Sequence, residues 1–200
     1  MSYGTNAPQG LKPNRYKNGS PWTGTTNQYP ITSGYATSIF TCDPVATLAD
    51  GTIGIGVAGN ASRGVFMGVK FTDTLGTFKF SPYWPASTTV QSGSPIYAMV
   101  EDDPNLVMDV QETNGSSAAG TPLAAADVNL NINFVVGAGT TATGQSTTSI
   151  NNTTEAVTTT LNLKIMSLTP NPTNVIGSFA NWLCAWNNHE LNGGSGTSGI

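Results

Sequence analysis

Apolar and polar residues alternate in several segments from residue 35 onward, and this period of two predicts β-strands. The segment "TIGIGV" sets Ile53, Ile55 and Val57 against small or polar neighbours, and "LVMDVQE", which begins at Leu106, has the same spacing. Each pattern is typical of a strand with one face in the core and one in solvent. The segments "GVFMGVKF", "GTFKFS" and "SPIYAMVE" are further strand candidates, separated by turns rich in Gly, Pro and Asp.

Two longer alternating segments predict strands in the second half of the chain. In "DVNLNINF", apolar residues stand at every second position from Val128 to Phe134, and in "AVTTTLNLKIMS" an inward-facing set runs from Val157 to Ile165. One short turn, at "PLAAAD", is the only helical candidate. The pattern therefore predicts an all-β protein of about eight to ten antiparallel strands, arranged as a β-sandwich or a barrel.

Residues 1–34 show neither a strand period nor a helical one. Pro8, Pro13, Pro21 and Pro30 punctuate the segment, yet aromatic residues are spaced along it. A disordered tail is usually poor in aromatic residues, whereas an extended segment that docks on a surface needs spaced anchors. The segment is therefore predicted to be an extended N-terminal arm that contacts another protein or another subunit. Its candidate anchors are Tyr3, Leu11, Tyr16, Trp22 and Tyr29.

The rest of the chain is predicted to form one β-rich domain over residues 35–192. Residues 137–154, "GAGTTATGQSTTSINNTT", contain almost no apolar side chain to bury, which predicts a long loop or a linker between two β-halves. Residues 193–200 are dominated by Gly and Ser, and this composition predicts a flexible C-terminal tail.

Charged side chains are scarce: Asp, Glu, Lys and Arg make up 9% of the 200 residues, against roughly 25% in an ordinary soluble domain. Thr, Ser and Asn must cover the surface instead, which suits packing beside identical copies, because like-charged surfaces repel each other. The net charge of -4 is uneven, since Lys12, Arg15 and Lys17 stand together near the start. Three interrupted cations are too sparse to predict nucleic-acid binding.

No segment predicts secretion or membrane insertion. The sequence lacks a charged segment leading into an apolar run, and it lacks an apolar stretch of about 18 residues. Cys42 and Cys184 are too few for a disulfide framework and too far apart for a metal knuckle, so two buried thiols are expected. We expect a protein that is made and kept soluble.

Two strings suggest a ligand site, but each favours ordinary β-structure. The string "GIGVAG", residues 54–59, matches a dinucleotide fingerprint, yet the residues after it predict a strand and not the helix that would meet a pyrophosphate. The string "EDDPN", residues 101–105, groups three carboxylates and leaves calcium binding open. Asp102 and Asp103 would face opposite sides of a strand, so a β-turn before Leu106 is favoured.

His189 is the only histidine and raises the question of catalysis. Cys184 precedes it by five residues, which places the two on opposite sides of a strand, and no second histidine exists to complete a zinc site. No "GxSxG" elbow is present, although a Ser–His–Asp triad assembled by the fold stays open. The sequence therefore predicts no enzymatic activity, no cofactor and no metal site.

The segment "NWLCAWN" near the end of the chain predicts a strand buried on both sides. Trp182, Cys184 and Trp186 share one face, and Leu183 and Ala185 share the other. Such a strand belongs either inside the chain or against another chain. Trp182 and Trp186 are therefore candidate core or intersubunit residues.

Seven short segments, spread over most of the chain, carry a resemblance: "MSYGTNAPQGLKP", "SIFTCDPV", "GVFMGVKF", "SPYWPAST", "EDDPNLVMDVQ", "LTPNPTN" and "NNHELNGG". They resemble motifs of tailed-bacteriophage virion structural proteins, of the cement or decoration type. The Thr-rich stretch 137–154 lies outside the resemblance. What the resemblance implies is a β-rich protein on the outer surface of the capsid that bridges neighbouring major capsid subunits. It also implies a homo-oligomer, often a trimer, with no enzymatic activity and no cofactor.

Two other functions stay open. A carbohydrate- or receptor-binding β-module of a phage tail or fibre would stack exposed aromatic rings, such as Trp84, on sugars. A hydrolase built on a β-sandwich would need His189 for more than folding. Capsid decoration is the main expectation, with the major capsid protein as the partner and with neither nucleic acid nor membrane bound.

Overall fold

Short β-strands make up almost all of the regular structure in the computed structural model, which describes residues 4–116, 118–194 and 196–199. That part of the chain has fifteen strands and two 3-10 helices, Ala125–Asp127 and Glu190–Asn192, and neither helix is long and apolar enough to cross a membrane. The all-β class is confirmed, with shorter and more numerous strands than predicted. The strands are β1 (Lys12–Tyr16), β2 (Asn27–Pro30), β3 (Ile39–Phe40), β4 (Pro44–Thr47), β5 (Ile53–Ile55), β6 (Gly64–Thr72), β7 (Phe78–Ser81), β8 (Tyr83–Trp84), β9 (Tyr97–Glu101), β10 (Leu106–Thr113), β11 (Asn131–Ile132), β12 (Phe134–Val135), β13 (Ser149–Asn151), β14 (Leu163–Leu168) and β15 (Asn181–Trp186).

These strands form two main sheets and one ribbon. In the large sheet the order is β11-β14-β15-β10-β13-β12, and β1 pairs with the first half of β10. In the small sheet the order is β2-β9-β6-β4-β5, and β7 pairs with the end of β6. Strands β3 and β8 form the ribbon. The paired strands are antiparallel, as predicted, except that β10 and β13 run parallel.

Each sheet packs around its own hydrophobic core. Trp182, Phe134 and Met108 are fully buried in the core of the large sheet, and Phe66 and Trp84 are fully buried in the core of the small sheet. Burying a side chain of this kind stabilises the fold by roughly 1.5–3 kcal/mol relative to leaving it exposed. The chain passes from the small sheet to the large sheet between β9 and β10, so this division does not coincide with the Thr-rich segment.

Strand β15 lies at the centre of the large sheet, between β14 and β10. Trp182, Cys184 and Trp186 face the main core, while Leu183 packs with Val107 on the opposite side of the sheet. A central strand with both faces covered has no solvent face, which accounts for its nearly continuous apolar sequence. The predicted strand with two buried sides is confirmed.

Two predicted strands are shorter than their alternating patterns. Asn129 adopts a left-handed conformation with φ 75°, which asparagine tolerates, so the strand begins only at β11 after it, and Asn133 separates β11 from β12. In "AVTTTLNLKIMS" only the second half forms a strand, β14, and Val157 is 58% exposed. The Asn187 side chain donates to the Thr159 carbonyl at 3.0 Å. This side-chain hydrogen bond satisfies the carbonyl, which in a sheet would pair with a neighbouring strand. The inward-facing assignment of Val157 is wrong.

Residues 10–31 are built into both sheets. Leu11 is fully buried in the large core, and its N–H donates to the Cys42 carbonyl at 2.8 Å. Strand β1 completes one edge of β10, and β2 completes one edge of β9. Because these residues satisfy the backbone groups of two sheet edges, the structure corrects the prediction of a separate arm. Tyr3 lies outside the described residues.

The Thr-rich segment 137–154 is partly interior. Ser146 and Thr148 are buried, and their hydroxyls donate to Asp43 at 2.5 and 2.8 Å. Strand β13 follows them and pairs with both β10 and β12. Hydroxyl groups that have hydrogen-bond partners can be buried at little cost, so a segment poor in apolar residues can still pack inside. The predicted loop therefore covers residues 136–148, between β12 and β13, while residues 149–151 form a strand and the segment is not a linker between two β-halves.

Residues 196–199 of the closing Gly- and Ser-rich segment are held to the rest of the chain by hydrogen bonds. The Thr197 N–H donates to Asn187 Oδ1 at 2.8 Å, and the Thr197 carbonyl accepts from Asn131 Nδ2 at 2.6 Å. The Gly199 N–H donates to the Val157 carbonyl at 3.1 Å. Residues 196–199 therefore differ from the predicted flexible tail, because buried asparagine side chains hold their backbone.

Candidate functional site

The two sheets meet along a polar seam that contains the first acidic residues of "EDDPN" and the only histidine. Beside it, the Leu106 N–H donates to the Asp103 carbonyl at 3.0 Å, which confirms the predicted β-turn between β9 and β10. The seam brings together residues that are far apart in the chain and that no sequence pattern connects. It consists of Tyr16, Trp22, Asn27, Tyr29, Thr47, Ser62, Arg63, Glu101, Asp102, His189 and Glu190.

Glu101, at the end of β9, holds the segment that joins β1 to β2. Its Oε2 accepts the Trp22 indole N–H at 2.7 Å, and its Oε1 accepts from the Tyr16 hydroxyl at 3.5 Å. Burial raises the pKa of the Glu101 carboxyl, and the hydrogen bond from Trp22 opposes that rise. Tyr16 and Trp22, which were predicted to anchor the chain to a partner, therefore bind a carboxylate of their own chain.

Asp102 starts a chain of polar contacts that crosses the seam. Its carboxylate accepts from Asn27 Nδ2 at 2.9 Å and from the Tyr29 hydroxyl in a short hydrogen bond. The same hydroxyl accepts from Arg63 Nη2 at 2.7 Å, and the guanidinium lies 4.7 Å from the Tyr29 ring centroid. Arg63 Nη1 lies 3.7 Å from Glu190 Oε2. These contacts connect β9 of the small sheet to the 3-10 helix that follows β15 of the large sheet.

His189 is fully buried where the chain leaves β15. Its Nδ1 accepts the Leu191 N–H at 3.2 Å and so caps the following 3-10 helix, and its backbone forms a parallel bridge with Ser62. The imidazole centroid lies 5.5 Å from that of Trp186. Burial lowers the pKa of His189 to about 4, so the ring is neutral at pH 7.

The groups of the seam bind one another and do not form a nucleophile–base pair. Ser62 Oγ and His189 Nε2 are both buried, and neither has a hydrogen-bond partner among the described residues. A catalytic serine and histidine need a mutual hydrogen bond and an opening to the substrate. The chemistry that this arrangement supports is cohesion between the two sheets.

The other candidate sites are structural where the structure describes them. Cys42 and Cys184 are free, buried thiols, as predicted. Burial raises the pKa of Cys42 to about 11 and raises the pKa of Cys184 further, so both are protonated at neutral pH. "GIGVAG" forms the end of β5 and a turn, and strand β6 follows it. Within the described ranges, no group of three or more His, Cys, Asp or Glu residues is placed to hold a metal ion.

The predicted interaction residues that the structure describes lie in the cores or the seam. Trp84, suggested for sugar stacking, is fully buried and meets Phe71 edge-on at 5.5 Å. A side chain buried within its own chain has no surface to offer a partner, so Leu11 is not a docking anchor, and Trp182 and Trp186 take the core and not the intersubunit alternative. The core residues are Leu11, Trp182 and Trp186, and the half-buried seam residues are Tyr16, Trp22 and Tyr29.

A strip of exposed aromatic side chains lies on the outer face of the small sheet. Phe78 and Phe80 of β7 are each 66% exposed, and Tyr97 of β9 is 36% exposed. Phe80 and Tyr97 both lie opposite Lys70 of β6 in the register, so these side chains share one face. We call Phe78, Phe80 and Tyr97 the aromatic strip. A groove of about 240 Å³, which Pro95 also lines, runs along it.

Turn chemistry and cross-strand pairing hold the two phenylalanines outward. Asp73 Oδ1 accepts the N–H groups of Leu75 and Thr77, each at 2.9 Å, and Asp73 Oδ2 pairs with Lys79 Nζ at 3.0 Å. Lys79 lies opposite the buried Phe71, so the residues on either side of Lys79 take the other face. The alternation in "GTFKFS" predicted this strand, but it could not show that the lysine, and not the aromatic rings, would lie on the same face as the buried Phe71.

No protein-family model, no curated protein and no solved structure matches this chain, so its function is inferred from its own residues.

Proposed function

We propose that the protein is a virion structural protein that decorates the capsid of a tailed bacteriophage and stabilises it by bridging neighbouring major capsid subunits. The observation that carries the proposal is the aromatic strip, in which Phe78 and Phe80 stand exposed on a strand at the edge of its sheet. Contiguous exposed apolar groups mark protein contact sites, and an unpaired strand edge can pair with another chain. In the proposal, the strip is the surface that meets the capsid shell from outside.

The low charge of the chain supports close packing of many copies. Charged residues make up only 9% of the sequence, and the net charge is -4. Copies with so little charge repel each other weakly when they sit side by side on a shell. This agrees with a homo-oligomer, for which a trimer is proposed.

The two-core architecture supports a mechanical role. The seam ties the sheets together through Asp102, Tyr29, Arg63 and Glu190, so a force applied to one sheet reaches the other. A standard protein interface buries roughly 1,600 Å². Repeated around a closed shell, many modest contacts give an avidity that no single contact has, and each must break before a joint between capsid subunits opens.

A carbohydrate- or receptor-binding module of a phage tail or fibre is the second candidate. The aromatic strip favours it too, because exposed rings beside a polar group such as Lys70 suit stacking on a sugar. In this version Phe78, Phe80 and Tyr97 replace Trp84 as the stacking residues. Glycan binding by the isolated protein that is lost in a Phe78→Ser, Phe80→Ser double variant would favour this candidate.

Capsids that lack the protein provide the test of decoration. Wild type and the Phe78→Ser, Phe80→Ser variant are added to such particles, and bound protein and survival on heating are measured. The matched control is Val175→Ser, Ile176→Ser, which removes two other apolar side chains that are 45% and 44% exposed. Wild type and control should bind and protect, and the phenylalanine variant should do neither while it melts at the same temperature. Equal protection by all three would overturn the role of the strip, and a wild-type protein that never binds would overturn decoration.

A further inference from the structure

The outer side of the large sheet gathers most of the basic residues of the chain. Lys12 and Arg15 of β1 lie opposite Asp109 and Val107 of β10, and Lys164 of β14 lies opposite Ala185. Directly opposite residues share a face of the sheet. Val107 and Ala185 belong to the small apolar cluster on the side away from the main core, so these cations surround that cluster. With Lys17, which follows β1, they form what we call the cationic face.

The cationic face is unusual for so weakly charged a protein. Its four members account for four of the seven Lys and Arg residues, whereas the other three share the rest of the chain with eleven Asp and Glu. The ion pairs within the described ranges are Arg63–Glu190 and Lys79–Asp73, so none of the four cations is in an ion pair there. Asp109, the carboxylate nearest in register, is instead hydrogen-bonded by the Thr169 hydroxyl at 2.7 Å. The face therefore carries more positive than negative charge, because its four cations outnumber the nearby carboxylates of Asp103 and Asp109.

Two lysines concentrate that charge at a groove. Lys17 and Lys164 line a groove of about 360 Å³ together with Met166 and Trp186. Burial lowers the pKa of Lys17, and the positive charge of Lys164 lowers it further, which means that the two ammonium groups repel each other. Their recorded hydrogen bonds are to backbone carbonyls, at 3.4 Å for Lys17 and 3.0 Å for Lys164. An anionic group between them would relieve the repulsion.

We propose that the cationic face is a docking surface for a protein segment that combines acidic and apolar side chains. Carboxylates of the partner pair with Lys17, Lys164 and Arg15, and its apolar side chains contact Met166, the half-buried residue that packs against the cluster. Charge complementarity of this kind sets the specificity and the rate of association more than the affinity. The inference goes beyond the proposed function, because it names the chemistry of a partner that need not be a capsid subunit.

The same features disfavour nucleic acid as the occupant. Nucleic-acid sites follow the phosphate backbone with an extended basic track, and each phosphate contact adds to a steep salt dependence. Here Met166 lines the same groove as Lys17 and Lys164, and the carboxylates of Asp103 and Asp109 lie near Lys17 and opposite Lys12. They would repel neighbouring phosphates, whereas a mixed acidic and apolar segment tolerates them.

The test uses the intact protein and a fluorescent peptide of alternating Glu and Leu, with a polythymidine oligonucleotide as the competing probe. Binding is measured by anisotropy for wild type, for Lys17→Gln, Lys164→Gln and for the matched control Lys70→Gln, Lys79→Gln, which removes two cations from the small sheet. The Lys17, Lys164 variant should bind the peptide about tenfold more weakly. The control should stay within about twofold of wild type. Wild-type binding should weaken as salt rises from about 0.1 M to about 0.5 M.

Several outcomes would overturn the proposal. They are no peptide binding by wild type, equal losses in the two double variants, or tighter binding of the oligonucleotide than of the peptide. The single variant Lys17→Gln, which removes only an exposed ammonium, should show a smaller loss in the same direction and guards against misfolding of the double variant. The experiment contains no capsid particles, so a negative result would count against the cationic face as a docking surface and not against capsid decoration.

Discussion

Glu190 accepts hydrogen bonds from Thr47 through both of its carboxylate oxygens. Its Oε1 accepts the Thr47 N–H at 2.7 Å, and its Oε2 accepts the Thr47 hydroxyl at 2.6 Å. Thr47 ends a strand of the small sheet, and Glu190 begins the 3-10 helix that follows the large sheet. A pair of hydrogen bonds to a single carboxylate therefore clamps the two sheets at one end of the seam.

Replacing Glu190 by Ala should loosen this clamp. Hydrogen bonds to a charged group contribute roughly 1.5–3 kcal/mol each when buried, and Glu190 is only partly buried, so we expect a loss of about 1–2 kcal/mol in the free energy of unfolding. Urea unfolding measures it. Asp50→Ala is the control, because Asp50 also accepts hydrogen bonds from two threonines, but both lie within the small-sheet region. A loss for Asp50→Ala equal to that for Glu190→Ala would show that the clamp adds nothing.

The two tryptophans of β15 should be essential to folding. Trp182 and Trp186 are buried in the large core, and replacing either by Ala should cost about 3–5 kcal/mol. Phe80→Ala, which removes an exposed ring, should change stability by less than about 0.5 kcal/mol. Thermal melts of the three variants test this contrast. If Trp182→Ala melts like wild type, the strand does not form the centre of the core.

Gly10 should be far less replaceable than Gly24. Both have positive φ, at 80° and 87°, so alanine at either site costs about 1 kcal/mol in backbone strain. At Gly10 a Cβ would also lie 2.5 Å from the Cys42 carbonyl oxygen, whereas at Gly24 it would meet nothing within 4 Å. We expect Gly10→Ala to lose a further 1–3 kcal/mol, roughly the cost of overpacking. Equal losses in urea unfolding would mean that the N-terminal segment is not seated in the fold.

His189 should make the protein sensitive to mild acid. Its pKa is about 4 in the folded protein against 6.5 when unperturbed, so the unfolded chain takes up the proton first. The stability that this difference provides is fully present above pH 6.5 and is lost as the pH falls toward 4, by up to about 3 kcal/mol. Buried carboxyls such as Glu112 act oppositely, because their raised pKa gives stability that is lost as the pH rises.

The His189→Gln variant separates the two effects. Its free energy of unfolding should fall less than that of wild type between pH 6.5 and about 4.5, because the imidazole no longer titrates. Urea midpoints at several pH values within that window measure the difference. Parallel curves for the two proteins would show that the imidazole is not held neutral by the fold.

The sequence predicted strands correctly where apolar residues alternate along a segment or occupy both of its faces. Alternation identified β6, β9 and β10 as strands, although β10 is buried on both faces and lacks the predicted solvent face. The doubly apolar "NWLCAWN" identified β15 as a strand with two covered faces. It was misleading at Val157 and in residues 137–154, because side-chain hydrogen bonds from Asn187 and to Asp43 decide the structure there. Such bonds join residues far apart in the chain, and no periodicity records them.

The candidate sites were less predictable than the fold. Spaced aromatic residues near the N-terminus suggested anchors, yet Trp22 and Tyr29 are held by carboxylates of "EDDPN", a pairing that only the folded chain creates. The aromatic strip depends on which residues of β7 share a face with the buried Phe71. The register of β7 on β6, with the Asp73 turn and the Asp73–Lys79 ion pair, gives that face to Lys79. The cationic face needed Lys164 of β14, which strand pairing through β15 and β10 places on the same face as the cations of β1.

The most direct measurement of capsid decoration is the difference map between particles with and without this protein, obtained by electron cryomicroscopy together with its copy number relative to the major capsid protein. The account predicts a fixed ratio and added density on the outer surface at joints between capsid subunits, with Phe78 and Phe80 turned toward the shell. Absence of the protein from purified particles, or density only at the tail, would contradict it.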